Sequence, residues 1–156
     1  MELYEKTIRS ERVYEGKRIN VRRDEVELPD GKRAVREICE HPDCVVIMAR
    51  DENGDCVLVR QYRHAIGRVT LEFPAGKLDR GEEGHRDGAL RELREETGLV
   101  PSDFVYLGVY LPSPGFSNEK LYVYLAKGLR AGAQEPDEDE FLHVLRMPEK
   151  EIRRKI

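Results

Sequence analysis

Three features of the sequence predict an α+β domain with a mixed sheet. Short segments with alternating or continuous apolar patterns recur between Ile19 and Met147, one segment carries a sustained helical period, and Gly-, Pro- and Asp-rich turns separate them.

The elements follow in order. The first forty residues read as an antiparallel ribbon, in which 19–28 (INVRRDEVEL) alternates, PDGK turns the chain and 33–40 (RAVREICE) alternates back. A hairpin of this kind is marginal in water, so the ribbon is expected to lie on the main domain or on a partner subunit. Residues 44–50 (CVVIMAR) suit a buried strand, DENGD predicts a hairpin turn, and 56–63 (CVLVRQYR) returns beside it. A further strand over 68–73 is stopped by a turn at Pro74, Ala75 and Gly76. The helix is expected over about 86–97, with Gly98 as its C-cap. Beyond it, 103–111 and 119–129 are strands on either side of a Pro-rich loop. An acidic loop, EPDEDE, precedes a strand over 141–147, and Pro148 at a helix N1 position opens a terminal helix that looks cut short at Ile156.

Composition narrows the function classes. The 156 residues suit one domain, and 37% charged residues with a net charge of −4 differ from the one-sided basic field of a nucleic-acid binder. No apolar run approaches the ~18 residues of a membrane span, and the N-terminus MELYEKTIRS is charged where a signal peptide needs an apolar stretch; a cytoplasmic location is expected. Cys39, Cys44 and Cys56 are odd in number, lack CxxC spacing and fit packing positions in strands and turns. The four histidines, at 41, 64, 85 and 143, are expected to be non-catalytic.

The chemistry gathers in 74–99, PAGKLDRGEEGHRDGALRELREETGL, which holds seven acidic side chains, five of them Glu. At 100° per residue, Ala89, Leu90, Leu93 and Thr97 share one helix face and Glu92, Glu95 and Glu96 the other. Like-charge neighbours at this spacing destabilise a helix by about 0.2–0.5 kcal/mol each, a cost that local propensity does not require. A solvated face neutralised by Arg91 and Arg94 is one explanation. A divalent cation held by the hard oxygens of Glu92 and Glu96 is the other, and the Gly-rich loop that brings further carboxylates to the helix favours it.

These residues resemble the Nudix box, G-x5-E-x7-R-E-U-x-E-E-x-G-U with U aliphatic. Gly76 opens it, and Arg91 to Leu99 (RELREETGL) match its second half at every specified position. The first half is one residue longer than the pattern. Counting forward from Gly76 selects Glu82, counting back from Arg91 selects Glu83, and both remain candidates. The stretches GKRINVRRDEVELPDGKRAVREICEHP, VRQYR, LEFPAGKL and PSPGFSNEK are similar to the ADP-ribose pyrophosphatase branch of the family, in which a Pro placed as Pro114 is here marks ADP-ribose selectivity.

The resemblance implies an α/β/α sandwich around a mixed sheet, with a ribbon (1–42) that exchanges between subunits of a homodimer and a hydrolase domain over 43–156. It implies cleavage of ADP-ribose by water to AMP and ribose 5-phosphate, with other nucleoside diphosphate sugars, or non-catalytic sensing of ADP-ribose, as alternatives. Glu92 and Glu96 would be ligands of Mg²⁺ (magnesium), or of Mn²⁺, with the Ala75 carbonyl. Glu95 would complete or support the shell, and Glu82 or Glu83 would join through a second metal, through water or through Arg91. Arg91 would orient the carboxylates. Arg63 would meet the substrate phosphates or be an ordinary strand-end charge, and Glu72 would contact substrate or the dimer partner. Pro114, Gly115 and Phe116 would line the substrate loop. The general base would come from EPDEDE, with Glu138 ahead of Glu140 and then Glu135.

Overall fold

The computed structural model describes residues 3–79, 81, 83–133 and 141–155. They divide into two compact units, one running to Asp43 and including Leu111–Lys120, the other comprising Cys44–Tyr110 and the chain from Leu121 onward.

The first unit is an antiparallel meander of β1 (Lys6–Glu15), β2 (Asn20–Glu27) and β3 (Arg33–Glu40), in that order. The hairpin expected from the sequence is therefore a three-stranded sheet. The extra strand, KTIRSERVYE, is exposed along its whole length, so it carries no burial pattern; it is a strand because its backbone pairs with β2. Asp24 and Val26 of β2 point inward. Asp24 accepts hydrogen bonds from Ser10 Oγ at 2.6 Å and Arg22 Nε at 3.1 Å, and the Ser10 bond leads in holding its carboxyl below the usual range. The 111–120 segment is tied to β3 by Cys39 N–H donating to the Phe116 carbonyl at 2.7 Å.

The second unit holds two sheets. One has the order β7-β4-β9-β8 and the other β10-β5-β6, with β4 spanning Cys44–Ala49, β5 Cys56–Arg63, β6 Arg68–Glu72, β7 Ala75–Lys77, β8 Leu99–Tyr110, β9 Leu121–Ala131 and β10 Leu142–Met147. The first is mixed because β4 runs parallel to β9 but antiparallel to β7. The turn at Asp51 to Asp55 forms, closed by Asp55 and Gly54, but β4 and β5 are not hairpin partners. They share only the Arg50–Cys56 bridge and then enter different sheets, because each is apolar enough to be buried on both faces. The expected turn at Pro74–Gly76 is in part strand β7, because the edge of β4 supplies partners for its backbone.

Helix α1 (His85–Thr97) packs on β4, β7 and β8 and reaches β10. Its C-terminus is closed by Gly98 at φ 68°, whose N–H donates to the Arg94 carbonyl. Val45, Ile47 and Ala49 of β4, Val57 of β5, Tyr124 and Ala126 of β9, and Ala89 and Leu93 of α1 meet in one core. The terminal helix α2 is a single turn, Glu149–Ile152; Pro148 is its N-cap, with an extended ψ of 138°, and not its first helical residue. Among the described residues no helix is long and apolar enough to cross a membrane.

Candidate active site

The fully buried Pro74 ends the preceding strand, and its carbonyl accepts from Ile47 N–H at 2.8 Å, which lays β7 along β4 beneath α1. Gly76 faces the helix there. A Cβ on it would lie 2.0 Å from the Glu92 carboxyl carbon, so the absent side chain is the space that the Glu92 carboxylate occupies. Ala75 N–H donates to Glu96 Oε2 at 3.2 Å.

Arg91 binds three of the surrounding carboxylates at once. Its Nε donates to both Glu83 oxygens at 3.1 Å and Nη2 to Glu83 Oε2 at 3.0 Å, while Nη1 donates to Glu92 Oε1 at 2.7 Å and Glu95 Oε2 at 2.8 Å. Nη2 also reaches the Lys77 carbonyl at 3.2 Å. Burial opposes the charge on this guanidinium, but the hydrogen bonds to Glu83, Glu95 and Glu92 outweigh it and hold its pKa above the ordinary arginine value.

The solvated-face explanation does not describe this helix. The Arg91, Glu92 and Glu95 side chains are 12%, 13% and 12% exposed, and Glu96 is only 2% exposed. Glu96 was expected on the outward face with its neighbours but turns toward β7, where backbone N–H groups are available and the core side of the helix begins. Leu90, assigned to the apolar face, is only partly buried, because the burial stripe is centred on Gly88, Ala89, Leu93 and Glu96.

Glu83 is the loop carboxylate bonded to Arg91, which corresponds to the spacing counted back from the helix. Glu82 lies outside the described residues, as do Glu135, Glu138 and Glu140. Arg63 and Glu72 are brought together: Arg63 Nε donates to Glu72 Oε1 at 2.9 Å and Nη2 to Oε2 at 2.5 Å. That pairing, with a bond from Thr70, keeps the Glu72 carboxyl below its usual range despite partial burial. Pro114, Gly115 and Phe116 belong to the first unit, and the Phe116 side chain is exposed.

The sequence reading did not find the group that holds the start of α1. His85, its first residue, stacks on Tyr122 with centroids 4.3 Å apart and planes 2° from parallel, and its Nδ1 is 2.5 Å from Tyr124 Oη. The available signal was the i, i+2 spacing of Tyr122 and Tyr124, which puts both rings on one face of a strand.

The cluster suits a divalent cation. Glu83, Glu92 and Glu95 bring three carboxylates to one guanidinium, Glu96 adds a fourth beside them on Ala75 N–H, their oxygens are hard donors, and the missing side chain of Gly76 makes room for the Glu92 carboxylate.

Partly buried glutamates gathered around one arginine on a helix against a mixed sheet form a candidate metal centre. Comparison with known proteins makes this specific. Residues 40–156 match the family model described as NUDIX domain, and residues 5–42 match that of the nucleoside diphosphate sugar hydrolase N-terminal domain. The chain belongs to the Nudix family and is a Nudix hydrolase. It is 42% identical over 145 residues to an ADP-ribose pyrophosphatase of Bacillus subtilis, covering 92% of this chain and 78% of that one. It is 41% identical, over the same shares, to a methanol dehydrogenase activator of Bacillus methanolicus. Among solved structures, one described as an ADP compounds hydrolase superposes with a TM-score of 0.84 at 27% identity, over 95% of this chain and 80% of that one. Hydrolases of this family use divalent metal ions.

Proposed function

We propose that this chain hydrolyses the pyrophosphate bond of ADP-ribose with water, releasing AMP and ribose 5-phosphate, with Mg²⁺ as its metal and Mn²⁺ as a substitute. The observation that carries the reading is the intact carboxylate cluster on α1, in a chain closely similar to an ADP-ribose pyrophosphatase.

Glu92 and Glu96 are the metal ligands, with the Ala75 carbonyl, and Glu95 supports them. A divalent cation, when bound, neutralises phosphate charge and makes water a better nucleophile at neutral pH. Arg91 keeps Glu92 and Glu95 aimed inward and, through its bond to Glu83, fixes the loop to the helix. Partial burial of these groups strengthens each of their electrostatic interactions. Glu138, or in second place Glu140, is the general base that takes the proton from the attacking water. Arg63, oriented by Glu72, contacts the substrate phosphates, and Pro114, Gly115 and Phe116 contact the remainder of the substrate.

The ribbon, 1–42, associates with a second copy of the chain to form a homodimer, and 43–156 is the hydrolase domain of a cytoplasmic enzyme. Exposed Ile8, Val13, Tyr14 and Val35 on the first unit support an apolar contact of that kind.

The test is AMP release from ADP-ribose with Mg²⁺, with EDTA, and in the Glu92→Gln/Glu96→Gln variant, alongside ADP-glucose and GDP-mannose. Metal-dependent cleavage that prefers ADP-ribose and disappears in the variant is expected. Tight ADP-ribose binding without turnover would instead make the chain a sensor, and preference for another sugar would move the substrate assignment.

A further inference from the structure

The start of α1 is held in an unusual way. Its N-cap, Gly84, is extended at φ −69° and ψ 149° and has no side chain to cap the first-turn N–H groups. The first helical residue is fixed by a ring contact instead: His85 lies flat on Tyr122, and its Nδ1 meets Tyr124 Oη. Tyr124 is only 2% exposed and stacks on Phe104 with centroids 4.5 Å apart, so the phenol is a rigid point within β9.

Two residues before His85 stands Glu83, whose carboxylate takes three contacts from Arg91. The other amino group of Arg91 then reaches Glu92 and Glu95. His85 thus anchors the chain to β9 two residues from Glu83, the carboxylate that Arg91 joins to Glu92 and Glu95. Gly88 adds to this geometry, since a Cβ there would lie 2.3 Å from Leu78 Cδ2 and 3.2 Å from Glu83 Oε2; the loop is packed directly against the helix.

We propose that His85 and Tyr124 form a positioning pair that sets the divalent-cation affinity of the cradle by fixing Glu83 and, through it, Arg91. Neither side chain touches substrate in this role. The inference rests on reading the glutamate cluster as a metal site, and it adds two residues outside that cluster to its control.

His85→Phe and Tyr124→Phe each keep an aromatic ring and remove the bond between them. Mn²⁺ binding, followed by the loss of free-ion electron paramagnetic resonance signal in the absence of substrate, is measured for the parent, both single variants and the double variant. Melting temperature and ADP-ribose kinetics across a metal titration are measured in parallel. Each single variant is expected to weaken Mn²⁺ binding about fivefold, and the double variant by the same factor, because one shared bond is lost in all three. The metal concentration for half-maximal activity rises in step, while KM for ADP-ribose at saturating metal is unchanged. Unaltered Mn²⁺ affinity accompanied by a lower melting temperature would overturn the proposal, as would penalties that multiply in the double variant. Because binding is measured without substrate, the Mn²⁺ result decides the positioning role even if ADP-ribose proves not to be cleaved; that failure would count against the substrate assignment alone.

Discussion

Gly76→Ala tests the cradle at its narrowest point. The new Cβ would stand 2.0 Å from the Glu92 carboxyl carbon and 2.2 and 2.4 Å from its oxygens. Carbon atoms settle at about 3.5–4.0 Å, so the carboxylate must retreat by more than about 1 Å. It is the far end of a flexible side chain, so the fold accommodates the move, at the cost of its 2.7 Å bond from Arg91. A hydrogen bond to a charged group is worth about 1.5–3 kcal/mol. In a chain of this size that lowers the melting temperature by about 3–12 °C, at roughly 2–4 °C per kcal/mol. The effect on catalysis is larger, because a misplacement of about 1 Å can cost about 100-fold, or roughly 2.7 kcal/mol of barrier. The assay is kcat/KM for ADP-ribose against Mg²⁺ concentration, with thermal melts run with and without metal. Glu92→Gln added to Gly76→Ala should cost little more than either change alone, since both act on one ligand. Parent-like activity and metal stabilisation in Gly76→Ala would mean that the Glu92 carboxylate works equally well from elsewhere, and that its place over Gly76 does not matter.

Glu96→Gln should raise the metal-free melting temperature by about 2–4 °C, as about 1 kcal/mol of repulsion among four carboxylates is relieved, and should abolish the further rise on adding Mg²⁺. Glu72 has a folded-state pKa below its unfolded value, so its pairing stabilises the protein above the ordinary carboxylate range, and that contribution is lost as pH falls through the folded value. Glu72→Gln should therefore be less stable than the parent at pH 7, with the gap closing on acidification in urea titrations. Gly98→Ala should cost about 1 kcal/mol by equilibrium unfolding, since the cap sits at φ 68°. Leu93→Ala, which empties a fully buried site in the core, should cost about 2–5 kcal/mol in the same measurement.

The class of fold was legible wherever a segment's own pattern reports its environment. Alternation marks β2 and β3, continuous apolar runs mark β4 and β5, and the helical period with its terminal Gly98 marks α1 to within a residue. The strand β1 escaped because it buries nothing, and β7 escaped because three residues after a proline become a strand only when β4 lies alongside. Similarly, a turn signal between two apolar runs cannot tell a hairpin from two strands that leave for different sheets. That choice depends on which distant neighbours, here β9 and β10, reach each strand.

For the candidate site, the order of residues already specifies which groups are present: the glutamates and arginine of α1, their helical spacing, and the glycine needed beneath them. The family resemblance followed from those residues, because metal chemistry requires particular donor atoms at particular intervals. Which of these groups meet depends on the packing of distant elements. It put Glu83 on Arg91, turned Glu96 inward to Ala75, closed Arg63 onto Glu72 and joined His85 to Tyr124 of β9. Each of these contacts joins residues on different elements, and their distances depend on how β7, β9 and α1 pack. Local pattern carries no information about that packing, whereas hydrogen-bond geometry and burial, which orient carboxylates and shift their proton affinity, are set by it.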